Sequence, residues 1–110
     1  MTQTLIEKRC VPCEGGVPTL TAEQIQLHLK QVKAWQINAD QSAIFKRFDF
    51  RDYYQTMSFV NAVAWVANQE GHHPDLEVSY NRCVVKYMTH AVGGLTENDF
   101  ICAAKIDALK

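Results

Sequence analysis

The chain is poor in the features that mark linkers, membrane spans and disulfide scaffolds. Its 110 residues include 3 prolines and 5 glycines, too few for a disordered or low-complexity polymer. The longest uninterrupted apolar run is Ala62 to Ala67, far short of the ~20 residues that cross a bilayer. Residues Met1 to Arg9 contain no apolar block of signal-peptide length, so a cytoplasmic protein is expected. Neither sign of charge dominates: 11 Lys and Arg stand against 12 Asp and Glu, for a formal net charge of −1. Nothing electrostatic therefore points to nucleic acid or an anionic membrane as partner. The 4 cysteines, Cys10, Cys13, Cys83 and Cys102, are too few beside a full core to suggest a disulfide framework, and reduced thiols are the default. No internal repeat, Ser or Cys nucleophile motif or phosphate-binding glycine loop is present; Gly15-Gly16 and Gly93-Gly94 are isolated pairs.

What the chain does have is enough apolar material, 47% of its residues, for one buried core. Residues 1–19 hold the Cys10-Val-Pro-Cys13 run and read as an irregular N-terminal arm. Residues 20–110 read as a single domain. Thr21 and Gln24 have capping-box spacing and open a helix to about Val32, with Ile25, Leu29 and Val32 on one side. Trp35 to Ile37 and Ala43 to Phe48 flank a polar turn and suggest a hairpin. A long helix follows over 51–70, its N-terminus served by Asp49 or Asp52. Glu77 to Tyr80 and Cys83 to Met88 suggest a second hairpin turning at Asn81-Arg82. Thr96, with Asp99 three residues on, opens a last helix that directs Phe100, Ile101, Ala104 and Ala108 inward. The order α-β-β-α-β-β-α predicts an α+β two-layer sandwich, a four-stranded antiparallel sheet covered by helices.

The long helix carries two apolar stripes. One is Tyr53, Met57, Val60, Ala64 and Ala67; the other is Phe59, Val63 and Val66. Together they are wide enough to face both the sheet and a second subunit. Gly71 is suited to end the helix in a left-handed cap. Pro74 cannot continue a helix and pushes His73 into extended geometry, so His72 and His73 sit on a restrained turn.

Of the 4 histidines, His28 falls inside the first helix and reads as a surface or boundary residue. His72, His73 and His90 can converge, because the intervening hairpin returns the chain toward its start. Imidazoles titrate near neutrality, so two of them can supply an acid and a base without a cofactor. The plain alternative is that His72 and His73 end a helix and His90 ends a strand. A metal held by these imidazoles, or by two with Glu70 or Asp75, is a second alternative. Adjacent histidines in an extended segment point to opposite sides, which makes joint ligation awkward. The single CxxC lacks a second pair for zinc and the strand-to-helix setting for thioredoxin chemistry, so it reads as a mobile arm with ordinary thiols. Cys83 and Cys102 read as small core residues. Trp35, Trp65 and Tyr80 are read as buried aromatics rather than ligand platforms.

The run Gly71-His-His-Pro-Asp75, then Tyr80-Asn81, Thr89-His90, Gly94-Leu95-Thr96 and Asp99 closely resembles the pterin-4a-carbinolamine dehydratases. Trp35, the Ala43-Ile-Phe45 segment and the region around Phe59 are also similar, so the resemblance spans about residues 20–110. It implies dehydration of 4a-hydroxytetrahydropterin to quinonoid dihydropterin, in tetrahydropterin recycling for aromatic amino acid hydroxylation. No metal or organic cofactor is implied. By analogy His72 and His90 do acid–base work, in an order the resemblance leaves open. His73, Pro74, Tyr80 and Asp99 are placed at the pterin, with Asp99 also supporting the site or the start of the last helix. A homodimer or homotetramer through the long helix 51–70 is implied, as is a functional link to an aromatic amino acid hydroxylase. Asn68 stands where the family usually carries a charge, with Glu70 two residues on. Two other roles known in such proteins are a dimerisation or binding module acting through the long-helix face and a pterin-binding scaffold for molybdopterin enzymes.

Overall fold

A computed structural model describes residues 4–12 and 18–110. In it, helix α1 (Ala22–Leu29) precedes strands β1 (Gln36–Ile37) and β2 (Ile44–Asp49), helix α2 (Tyr53–Glu70), strands β3 (Asp75–Ser79) and β4 (Arg82–Tyr87), and helix α3 (Glu97–Asp107). The strands form one antiparallel sheet in the order β1-β2-β4-β3. This is the expected α+β architecture in the expected chain order.

Local chemistry accounts for the element ends. Thr21 Oγ1 accepts from the Gln24 amide, and the Gln24 side chain accepts from the Thr21 amide, closing the capping box of α1. Asp52, rather than Asp49, caps α2 by accepting from the Gln55 amide at 2.8 Å. The second hairpin turns one residue earlier than Asn81-Arg82: Ser79 pairs with Arg82, leaving Tyr80-Asn81 as the two-residue turn. Arg82 takes the first ladder position, because its side chain lies on the solvent face beside exposed Ser79.

Alternation places the core on one face of the sheet. Cys83, Val85 and Tyr87 of β4 are buried, as are Ile44 and Phe48 of β2, while Arg82 and Arg47 face out. The inner residues pack on Phe59, Val63 and Val66 of α2 and on Phe100, Ile101, Cys102, Ala103 and Ile106 of α3. The inward face of α3 thus runs through Cys102, Ala103 and Ile106. Ala108, expected inside, is exposed, because it is already the C-cap of the helix.

Of the two stripes on α2, Phe59, Val63 and Val66 form the core side. From the other, Ala67 is buried, Met57 and Val60 are half-buried, and Tyr53 and Ala64 are exposed. Trp35 is buried, its Nε1 donating to Asp107 Oδ1 at 3.0 Å. Trp65 and Tyr80, expected to be buried, lie 66% and 64% exposed. Each sits on an outward-facing position, of α2 and of the hairpin turn respectively.

The arm is docked rather than mobile over residues 4–12. Leu5–Glu7 form a 3-10 turn, and Leu5 is buried in the core. Val11 N–H donates to Asn98 Oδ1, and Asn98 Nδ2 donates back to the Val11 carbonyl at 2.7 Å. Of the CxxC pair, Cys10 is described and Cys13 lies outside the described residues.

Candidate active site

The site is built where α2 ends. Gly71 adopts φ 65°, a left-handed conformation that glycine enters without the cost other residues bear. The amides of Gly71 and His72 both donate to the Ala67 carbonyl. This cap turns the chain sharply and sends His72 inward, while His73 stays exposed.

His72 is 8% exposed. Its Nε2–H donates to Asp99 Oδ1 at 2.6 Å, and its ring stacks on Tyr87 at 5.1 Å between centroids. The Tyr87 hydroxyl donates to the His72 carbonyl at 3.2 Å. Asp99 is fully buried, and its other oxygen, Oδ2, accepts from Thr89 Oγ1 and from the Thr96 amide, each at 2.9 Å. The Thr96 bond is half of the capping box of α3. One carboxylate therefore starts a helix with one oxygen and orients an imidazole with the other. Burial alone lowers the pKa of His72; the hydrogen bond and negative charge of Asp99 outweigh it, and the net shift is upward.

His90 opens a 3-10 turn, His90–Val92, that closes on left-handed Gly93. A bridge from Thr89 to Gly94 holds the base of this loop. Because β3 and β4 are antiparallel and Asp75 pairs with Lys86, the chain returns beside its starting point. His72, His73 and His90 consequently line one open groove of about 580 Å³, with Glu70, Met88 and Thr89. A larger depression of about 980 Å³ on the outer face of the sheet, around Phe45, Arg47, Arg82 and Val84, contains no histidine.

The remaining expected site residues do not line the groove. Pro74 is half-buried at the start of β3. Asp99 stands behind His72 with both oxygens engaged. Tyr80 lies at the hairpin tip, stacked on Tyr53 at 6.4 Å, and the five residues of β3, roughly 16 Å of strand at ~3.3 Å per residue, lie between it and the turn that carries His72 and His73. The helical histidine, His28, bonds the Gln24 carbonyl and Glu97 at the boundary of the core, as expected of a boundary residue.

Three groove residues belong to the segment that reads in the sequence as an unattached arm. Cys10, Val11 and Pro12 of the arm form one wall. Glu70 Oε1 accepts from the Cys10 amide at 2.8 Å, and Glu70 Oε2 pairs with Lys105. Burial opposes ionisation of Glu70, but these donors prevail and its pKa is lowered. A carboxylate thus borders the groove although position 68 is an exposed asparagine. The spacing of Thr96 and Asp99, and the resemblance that put Asp99 in support of the site or of the helix start, both pointed to the network behind His72.

The described fold is an α+β sandwich whose helix cap and hairpin gather three imidazoles in one groove. The sequence profile of the family described as pterin 4 alpha carbinolamine dehydratase matches residues 18–109. A protein of Nitrosomonas eutropha is 59% identical over 106 residues, covering 96% of this chain and 92% of that protein. One of Legionella pneumophila is 54% identical over 110 residues, covering 99% and 97%. Both are named, provisionally, as pterin-4-alpha-carbinolamine dehydratases. The crystal structure of a transcriptional coactivator/pterin dehydratase from Brucella melitensis superposes with a TM-score of 0.80 at 32% identity, over 84% of this chain and 98% of that one. A pterin dehydratase-like protein identified as a RuBisCO assembly factor in the alpha-carboxysome superposes with a TM-score of 0.61 at 28% identity, over 69% and 88%. The chain belongs to the pterin-4a-carbinolamine dehydratase family.

Proposed function

We propose that this chain dehydrates 4a-hydroxytetrahydropterin, and that the groove lined by His72, His73 and His90 is where it does so. The observation that carries this reading is the convergence of three imidazoles with one of them bonded to a buried carboxylate. Loss of water from the carbinolamine breaks the C4a–O bond and needs two proton movements. The departing hydroxyl takes a proton and leaves as water; a ring N–H gives one up, and its electron pair becomes the new C=N bond. Asp99 favours the imidazolium of His72, which suits His72 to donate. His90, exposed to solvent, takes the ring proton, and His73 orients the pterin. The reaction is redox-neutral, so it calls for no redox cofactor, and two imidazoles can supply both proton movements. The product quinonoid dihydropterin returns to the tetrahydro form through a separate reductase, which places the chain in recycling beside an aromatic amino acid hydroxylase.

The test is the ultraviolet absorbance decay of enzymatically generated 4a-hydroxytetrahydropterin with purified protein. Acceleration is expected, with a loss of about 10²-fold or more in His72→Ala or His90→Ala, the scale of a lost general acid or base. EDTA is expected to leave the rate unchanged. Full turnover in both histidine variants would sink the mechanism, and loss with EDTA restored by zinc would revive the metal alternative.

A second reading, a binding module acting through α2, draws on exposed Tyr53, Tyr54 and Trp65 and on the structural relatives, one described as a transcriptional coactivator/pterin dehydratase and the other as a RuBisCO assembly factor. The two readings are compatible, since the groove and the exposed face of α2 are different surfaces. In either case a second copy of the chain is the proposed occupant of that face.

A further inference from the structure

We propose that Cys10 and Cys102 are a thiol–disulfide pair that takes a low-molecular-weight disulfide as oxidant and, once oxidised, staples the N-terminal arm to α3 beside the histidine groove. The two sulfurs lie 3.5 Å apart although the residues are 92 positions apart in the chain. A disulfide needs about 2.05 Å, so the sulfurs must close by about 1.5 Å. Both backbones are already held in place for this. The Cys10 amide is bonded to Glu70, and the next residue is clamped by the reciprocal Val11–Asn98 pair. Lys8 pairs with Glu97, and Lys105 Nζ donates to the Ile6 carbonyl. Cys102 sits on α3 with no exposed surface.

The two thiols differ in access, which assigns their roles. Cys10 is half-buried and lines the groove, so a small disulfide can reach it. Cys102 is reached only by Cys10. Contact with Cys10 lowers the pKa of the Cys102 thiol, helped by the Tyr87 hydroxyl and by His72 and opposed by burial. The same contact, with burial, pushes the Cys10 thiol up, so the resting thiolate is on Cys102; thiolate is the attacking form in exchange, and Cys102, touching Cys10, takes its proton as Cys10 attacks. The Cys10 thiolate so formed attacks one sulfur of the disulfide RSSR; the S–S bond breaks, and RS⁻ leaves and takes up the proton lost by the pair. Cys102 then attacks the Cys10 sulfur and expels the second RS⁻, which takes the Cys102 proton. Two protein thiols are oxidised, one disulfide is reduced to two RSH, and no proton is gained or lost overall.

The inference rests on the thiol geometry and not on the dehydratase reading, so the test uses no turnover. The purified chain is equilibrated in glutathione buffers from reduced to oxidised, then examined by intact mass and peptide mapping. Two thiols are expected to disappear without a retained adduct, joining the Cys10 peptide to the Cys102 peptide, with reversal by dithiothreitol. Cys102→Ser is expected to hold a glutathione adduct on Cys10, Cys10→Ser to form no link to Cys102, and Cys13→Ser to behave as the parent chain. Trypsin cleavage after Lys8 and Arg9 is expected to slow by about 10-fold or more on oxidation, because the staple suppresses local opening of the arm. A Cys10–Cys13 link, a stable adduct on Cys10 with Cys102 still free, or no loss of thiols in the parent chain overturns the proposal. Should Cys102→Ser not fold, Cys10→Ser and the parent map decide alone, since Cys10 sits on the arm.

Discussion

Asp99 is the residue on which helix start, core and site all depend. Its two oxygens accept three hydrogen bonds, from His72, Thr89 and the Thr96 amide, so it is a fully satisfied buried carboxylate rather than a lone charge. It touches no groove surface and acts as a positioning residue through His72. Asp99→Asn keeps the shape but removes the charge that favours the imidazolium. The proposed acid then loses its proton at lower pH, so the alkaline limb of the pH–rate profile is expected to move down, with about 10-fold lower turnover at neutral pH. A merely structural Asp99 would lower the rate without moving that limb. The same pairing has a stability signature. The pKa of His72 is higher in the folded chain than its ordinary 6.5. Its stabilising contribution is therefore complete below about pH 6.5 and is lost as pH rises through the folded value. The gap in melting temperature between the parent chain and His72→Gln is expected to narrow as pH is raised across that window. A gap that widens would reverse the sign.

Among the elements, the junction of α2 and β3 does the most to place chemistry, and the residue that sets it is Gly71. Its φ of 65° leaves open space where a Cβ would stand, so the cost of Gly71→Ala is backbone strain alone, about 1–2 kcal/mol. A fall in melting temperature of about 4–9 °C is expected. Turnover should drop alongside, because the cap aims both His72 and His73. An unchanged melt would mean that the cap is not under constraint. This junction was legible in the sequence, since a glycine after an 18-residue helix and a proline two residues after the first histidine leave few conformations. The capping boxes and alternating strands were legible for the same reason: each depends on neighbours within four residues. What local pattern cannot show is where distant segments meet. The docking of the arm depends on Asn98, Glu70, Glu97 and Lys105, all far from it in the chain, so a cysteine, valine and proline that wall the groove read as an unattached tail. Tyr80 is a different case: the resemblance puts an aromatic there at the pterin, and a two-residue turn puts it at the far tip of the hairpin from the histidines of its own chain.

For the whole molecule, the decisive surface is the outer side of α2. The core takes Phe59, Val63, Val66 and Ala67, and the helix still shows Tyr53, Tyr54 and Trp65 to solvent at 53%, 81% and 66% exposure. Large aromatics on one helix are costly to leave wet and are favoured at protein interfaces. The sheet edges are better defended: β1 has two residues, and edge strand β3 carries Asp75 and Glu77, short length and charge being what keeps a sheet edge from pairing. Self-association is therefore proposed to run through α2, with two copies of the helix burying their aromatics against each other. Trp65→Glu puts a charge at the middle of that surface and touches none of the core positions. Its melting temperature at low concentration is expected to stay within about 2 °C of the parent, as for surface substitutions. Light scattering coupled to size exclusion is expected to show a smaller species than the parent at equal concentration. A variant of unchanged mass would remove α2 from the interface and leave its aromatics to a different partner. If the groove histidines still turned over in the smaller species, the site would be complete within one chain; if turnover fell with mass, a neighbouring copy would be supplying part of it, and Tyr80, which its own chain holds away from the groove, would be the first residue to test for that role.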